Sequence, residues 1–207
     1  KEFLSERIPG AIFFNIDEIS DPKSPYPHMI PNEKEFSLKV GNLGISNDHH
    51  IIAYDTLGIF SSARVYWMFK QYGHRRISIL NGGLKYWKLK NKKLETSNPI
   101  KKERASYHAQ LDRSKIKKFE DIRKNLEYKK FKLIDARPSG RFNGTDPEPR
   151  VGIQSGNIKN SLNIPFTEVI DHTTGCFKDK EELKKIFLNN QVNQEDDVVF
   201  CCGSGVA

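Results

Sequence analysis

The chain has 207 residues, with 34 Lys and Arg against 26 Asp and Glu, and so a formal charge of +8. At 37% hydrophobic and 29% charged, with a mean hydropathy of −0.63, it has the composition of a polar globular protein, which excludes wholesale disorder and suits one large domain or two small ones. Its apolar runs, such as 8–14 and 198–202, fall far short of the roughly 20 residues that cross a bilayer; its first residues lack the layout of a secretory signal, and its three Cys cannot build a disulfide framework, so a cytoplasmic, reducing setting without a membrane partner is expected.

Residues 49–55 (HHIIAYD) are β-branched and aromatic and read as a strand that breaks at Gly58. Residues 61–72 carry apolar side chains at helical spacing. A second strand is expected at 76–80 (RISIL), then a turn at Asn81-Gly82-Gly83 and a short helix over 84–89. After Thr96 the composition turns polar and Lys-rich, which marks 98–114 as an interdomain linker. Beyond it, 115–126 reads as a helix, 131–136 (FKLIDA) as a strand, 178–189 as an amphipathic helix and 197–202 as a buried strand. Alternating strands and helices indicate an α/β fold with parallel sheets. Lys and Arg gather at 85–93, 101–104 and 115–132, and such blocks read as solvated faces or linker. No zinc-ligand spacing, Walker loop or RNA-binding aromatic motif accompanies them, so nucleic acid is not an expected partner. The positive field suits small anionic substrates instead.

The two halves resemble each other. Setting Ile8 on Ile158 gives an offset of 150, and setting Asp55 on Cys202 gives 147. The expected organisation is a first domain at 1–97, the linker, and a second domain at 115–207. Each half lacks a piece that the other possesses, so the full protein is expected to extend before Lys1 and beyond Ala207.

The segment VVFCCGSGVA carries the clearest chemistry. A Cys at the end of a strand, followed by Gly-Ser-Gly, leaves backbone N–H groups free to curl around the sulfur and favour a thiolate or an attached anion. Cys202 is therefore the candidate nucleophile, cradled by Gly203, Ser204, Gly205 and Val206. Cys201 points to the opposite face by strand alternation and reads as a core residue. Cys176 carries no motif and is assigned no role.

The segments RIPGAIFFNID (7–17), SPYPHMIP (24–31), YDTLGIFSSARVYWMF (54–69), ILNGGLKYW (79–87), LIDARPSGRFNGTDPEPR (133–150) and CGSGV (202–206) closely resemble the two-domain rhodanese-type sulfurtransferases, and within them the mercaptopyruvate branch. The resemblance implies two tandem rhodanese-like domains, each a mainly parallel sheet flanked by helices, the first inactive and the second catalytic. Asp55, standing where the second half has Cys202, fits the inactive repeat. The resemblance also assigns Arg141 and Arg150 to a substrate carboxylate, a role that guanidinium forks suit. It pairs Ser204 with His28 and Asp17 in an acid–base relay, although taken alone His28 reads as a loop histidine and Asp17 as a turn residue. The implied reaction moves the sulfane sulfur of 3-mercaptopyruvate through a Cys202 persulfide to a thiol acceptor such as thioredoxin, or to cyanide, without metal or organic cofactor. Ser204 favours mercaptopyruvate, since the thiosulfate branch typically has basic residues in this loop. One departure is GNIKNS (156–161), which loses the His and Pro usual in that motif. The rival readings are a thiosulfate sulfurtransferase using the same Cys202, a Cys phosphatase of the same fold, and a non-catalytic sulfur carrier that docks a partner through its basic face.

Overall fold

The structure is a computed structural model that describes residues 2–99, 102–150 and 152–206. Two compact units divide it at Lys115 and Ile116: unit 1 also takes in 174–176 and Val206, and unit 2 comprises the rest of the chain to Gly205.

Unit 1 contains α1 (Glu2–Ser5), α2 (Glu33–Asn42), β1 (Ile51–Ala53), α3 (Ser61–Gln71), β2 (Ile77–Ile79) and α4 (Gly83–Leu89). The strands pair in parallel, Ile51 opposite Ile77 and Ala53 opposite Ile79. Both strands are shorter than their apolar runs, and α3 falls where its helical spacing predicts. α2 has no counterpart among the elements expected from the sequence. Its start is nevertheless chemically defined, because the Asn32 side chain accepts the Glu35 N–H at 2.9 Å. From α2, Phe36 and Val40 enter a core with Met68, Phe69, Tyr72 and Ile77. The Phe36 ring stacks on Tyr72 at 3.8 Å between centroids.

The stretch expected as linker is packed over much of its described part. The Ala105 N–H donates to Gly41 O at 2.9 Å, Gln110 to Tyr72 O and Asp112 to Gln71 O, while Tyr107 and Ala109 are buried in the unit 1 core. Gly41 permits this approach, since a Cβ there would stand 2.6 Å from Ala105 O. Ile100 and Lys101 lie outside the described residues.

Unit 2 contains α5 (Phe119–Tyr128), β3 (Lys132–Asp135), α6 (Ser139–Asn143), β4 (Leu162–Asn163), α7 (Lys180–Asn189) and β5 (Val198–Cys201). Its sheet has the order β4-β3-β5 and is wholly parallel, with Asp135 opposite both Asn163 and Cys201. The helix expected from 115 begins at Phe119, because 113–115 form a 3-10 turn and the Asp121 carboxylate accepts the Lys118 N–H at 2.8 Å, fixing the start there. A reciprocal capping box of Asp179 and Glu182 opens α7. Ile134, Ile164 and Val192 form the small core, with Ile186 and Phe187 of α7 packed against it. The expected burial of 197–202 is not met: Val198 and Phe200 are 38% and 56% exposed, and Val199 and Cys201 are half-buried. Among the described residues, no helix is long and apolar enough to cross a membrane.

Candidate active site

In unit 2, β3 and β5 end side by side, and the Ala136 N–H donates to Cys201 O at 2.9 Å. The chain therefore leaves β5 at Cys202 beside the turn that carries Arg137 and leads from β3 into α6, which carries Arg141. Ligands of open parallel sheets bind at such carboxyl ends. Cys202 is half-buried, and the Gly205 N–H donates to its Sγ at 3.0 Å. Its neighbour has a different environment. Burial first, then the negative charge of Asp135, pushes the Cys201 thiol up to about 12. Both cysteines are half-buried, and Cys201 belongs to β5 while Cys202 follows it.

Three guanidinium groups and two carboxylates surround this loop. Arg141 Nε and Nη2 donate to the two oxygens of Glu148 at 3.0 and 2.5 Å. Arg137 Nη1 reaches Glu148 Oε1 at 2.8 Å, while its Nε and Nη2 bind Asp135, and Nη2 also donates to Gly156 O. Both carboxylates are almost fully buried, at 4% exposure for Asp135 and 5% for Glu148. The Arg141 hydrogen bond holds the Glu148 carboxyl below the usual carboxylate range, and the Asp135 hydrogen bonds raise the affinity of Arg137 for its proton. Arg150 Nη1 donates to Gly203 O at 3.1 Å. Arg141 also lies directly on the loop, since a Cβ at Gly203 would stand 2.3 Å from its Nη2. Both arginines expected to bind the substrate carboxylate therefore adjoin Gly203, the residue after Cys202. Arg137 and Glu148 were not picked out from the sequence. Glu148 lies within the EPR segment, but nothing in its spacing reveals that it joins two guanidinium groups.

Unit 1 brings Asp17 and His28 together, with His28 Nε2 2.8 Å from Asp17 Oδ1. The Asp17 N–H donates to Asn15 Oδ1 at 3.1 Å, which shapes the turn that presents the carboxylate. His28 adopts φ 56°, a left-handed conformation uncommon for a side chain of this size, and its carbonyl accepts from Arg64 Nη2. Ser204 stands in the unit 2 loop, and Val206 groups with unit 1.

The loop after β1 shows what this backbone geometry does. Asp55 Oδ1 accepts the N–H groups of Leu57 and Gly58, both at 3.0 Å, and Oδ2 accepts those of Phe60 and Ser62 and the Ser62 hydroxyl. A nest of amides at the N-terminus of α3 is thus closed around a built-in anion. Among the described residues, no three His, Cys, Asp or Glu side chains gather as a metal-ligand set.

The rhodanese-like domain family matches residues 1–90 and 109–207. The chain belongs to the rhodanese family. Its mouse relative, a 3-mercaptopyruvate sulfurtransferase, is 45% identical over all of this chain and 69% of its own length. A rat thiosulfate sulfurtransferase is 44% identical over all of this chain and 70% of its own. The structure superposes on SseA from Escherichia coli, described as a 3-mercaptopyruvate sulfotransferase with the rhodanese fold, with a TM-score of 0.89 at 35% identity, covering 99% of this chain and 76% of that one. This rhodanese-family chain is a sulfurtransferase built from two rhodanese-like domains, and the family uses a small-molecule sulfur donor and a thiol acceptor.

Proposed function

We propose that the chain transfers the sulfane sulfur of 3-mercaptopyruvate. The observation that carries this reading is Cys202 with the Gly205 N–H on its sulfur and the Arg141 and Arg150 guanidinium groups on the adjoining Gly203. The Cys202 thiolate attacks the substrate sulfur, the carbon–sulfur bond breaks, and its electron pair leaves as the enolate of pyruvate, which takes up a proton. The Cys202 persulfide so formed is an anion, and the amides of Gly203, Ser204, Gly205 and Val206 are suited to stabilise it. An acceptor thiolate such as that of reduced thioredoxin then attacks the outer sulfur and releases the Cys202 thiolate; cyanide in an assay gives thiocyanate.

Arg141 and Arg150 orient the keto acid by its carboxylate. His28, oriented by Asp17, acts with Ser204 as the relay that supplies the proton near the departing enolate. Catalysis is proposed in the second domain, and the proposed location is cytoplasmic. The near-equal identity to a thiosulfate sulfurtransferase makes thiosulfate the rival donor. Comparing kcat/KM for the two donors decides between them: the expected result is a higher value for 3-mercaptopyruvate, and a higher value for thiosulfate contradicts the reading. Ser204→Ala is expected to impair the keto-acid reaction alone.

A further inference from the structure

The proposed mechanism leaves the buried network of Asp135, Arg137 and Glu148 unused, and Glu148 is the member that binds Arg141. Glu148 Oε1 accepts from Arg137 Nη1 at 2.8 Å and Arg141 Nε at 3.0 Å, and Oε2 accepts from Arg141 Nη2 at 2.5 Å. Arg141 therefore gives its side-on edge, Nε and Nη2, to Glu148. Its end-on edge, formed by Nη1 and the second Nη2 hydrogen, meets no protein acceptor among the described residues. The Nη2 of that edge lies on Gly203. Glu148 is itself fixed, because Arg137 is tied to Asp135 and to Gly156 O.

We infer that Glu148 is a positioning residue that sets donor selectivity, clamping Arg141 by one edge so that the other edge is presented to the carboxylate of the donor beside Cys202. The inference deepens the keto-acid reading and rests on it for the identity of the donor. Two physical consequences favour a monoanionic carboxylate. A guanidinium held in one rotamer loses little further freedom when it forms a second bidentate pair with a planar group. In addition, Glu148 and Asp135 offset the charges of Arg137 and Arg141, so the loop offers a dianion such as thiosulfate less positive charge than bare guanidinium groups would.

Glu148→Gln keeps the shape but removes the charge and turns an amide N–H₂ toward one of the guanidinium groups. The expected result is a rise of about tenfold in KM for 3-mercaptopyruvate with kcat changed by less than about threefold, and an unchanged or lower KM for thiosulfate. Glu148→Asp, which keeps the charge, is expected to recover part of the mercaptopyruvate KM. Equal losses for both donors, or a fall in kcat with unchanged KM, overturn the inference and leave Glu148 a structural residue.

NMR of the arginine side chains of the wild-type chain provides a test independent of turnover and of how the variants fold. The Arg141 Nε–H signal is expected to be protected from exchange, and titration with pyruvate should move the Arg141 Nη signals while leaving Nε in place. An unprotected Nε–H, or displacement of Nε by pyruvate, overturns the clamp. A protected Nε in a chain that does not use 3-mercaptopyruvate overturns the donor assignment and leaves the clamp standing.

Discussion

Gly203 carries a steric demand that its backbone does not explain, because what excludes a side chain there is the Arg141 guanidinium, 2.3 Å from the place of a Cβ. Arg141 cannot swing away without breaking its fork to Glu148. Gly203→Ala is therefore expected to lower kcat/KM for the sulfur donor by about a hundredfold, with a change in unfolding free energy of only about 1 kcal/mol. Kinetics and urea denaturation of the same variant check the two halves of that statement, and a large stability loss with intact turnover contradicts it. The two adjacent cysteines give a second expectation. With its thiol pushed up to about 12 by burial and Asp135, Cys201 should stay unmodified by iodoacetamide at pH 8 while Cys202 is alkylated; peptide mapping that finds Cys201 labelled first contradicts the assignment. Cys202, Arg141 and Arg150 were legible in the sequence because short motifs carry them. Glu148 and Arg137 were not, because a buried ion network depends on which groups converge in space, and a surface salt bridge and a buried clamp have the same letters.

At the level of elements, the loop between β1 and α3 depends on Asp55 as strongly as the loop after β5 is proposed to depend on a sulfur anion. Removing the carboxylate strands the amides of Leu57, Gly58, Phe60 and Ser62 together with the Ser62 hydroxyl. Asp55→Ala is expected to destabilise the fold by about 2–4 kcal/mol in urea denaturation, and a loss below about 0.5 kcal/mol contradicts the cradle. The packed segment 102–112 meets a buried histidine. His74 Nε2 contacts His49 O at 3.1 Å, and Nδ1 contacts the Tyr107 hydroxyl at 3.2 Å. Desolvation holds the His74 pKa below the usual value of 6.5, against the opposing carbonyl hydrogen bonds of His49 and Arg76. Because the folded chain resists protonation at a pH where the unfolded chain accepts it, this contribution is complete above about pH 6.5 and is lost as pH falls below that value. Thermal unfolding between pH 8 and 5 should show a decline that His74→Gln lessens; an identical decline in both proteins contradicts it. The strand and helix pattern was readable wherever apolar spacing was regular, as in α3 and β3. α2 escaped because its buried face is little more than Phe36 and Val40 among charged residues, and the packing of 102–112 escaped because a polar, Lys-rich composition conceals the pair of inward side chains Tyr107 and Ala109.

For the whole molecule, the offset near 150 in the sequence and the paired family matches at 1–90 and 109–207 agree that the chain repeats one rhodanese-like unit, and that the repeats have diverged at the strand-end loop into a carboxylate in one and a thiol in the other. The charge of +8 lies mostly in Lys-rich segments along the chain, while the loop after β5 sets three guanidinium groups against two carboxylates. In the proposed reaction both sulfur transfers pass through the Cys202 sulfur. Mass spectrometry of the chain after incubation with 3-mercaptopyruvate, without an acceptor, tests it most directly. The expected result is an adduct of about 32 Da, one sulfur, on the Cys202 peptide, removed by a thiol or cyanide and absent from Cys202→Ser. A peptide that stays unmodified, or an adduct carried by Cys176 or Cys201 instead, contradicts it.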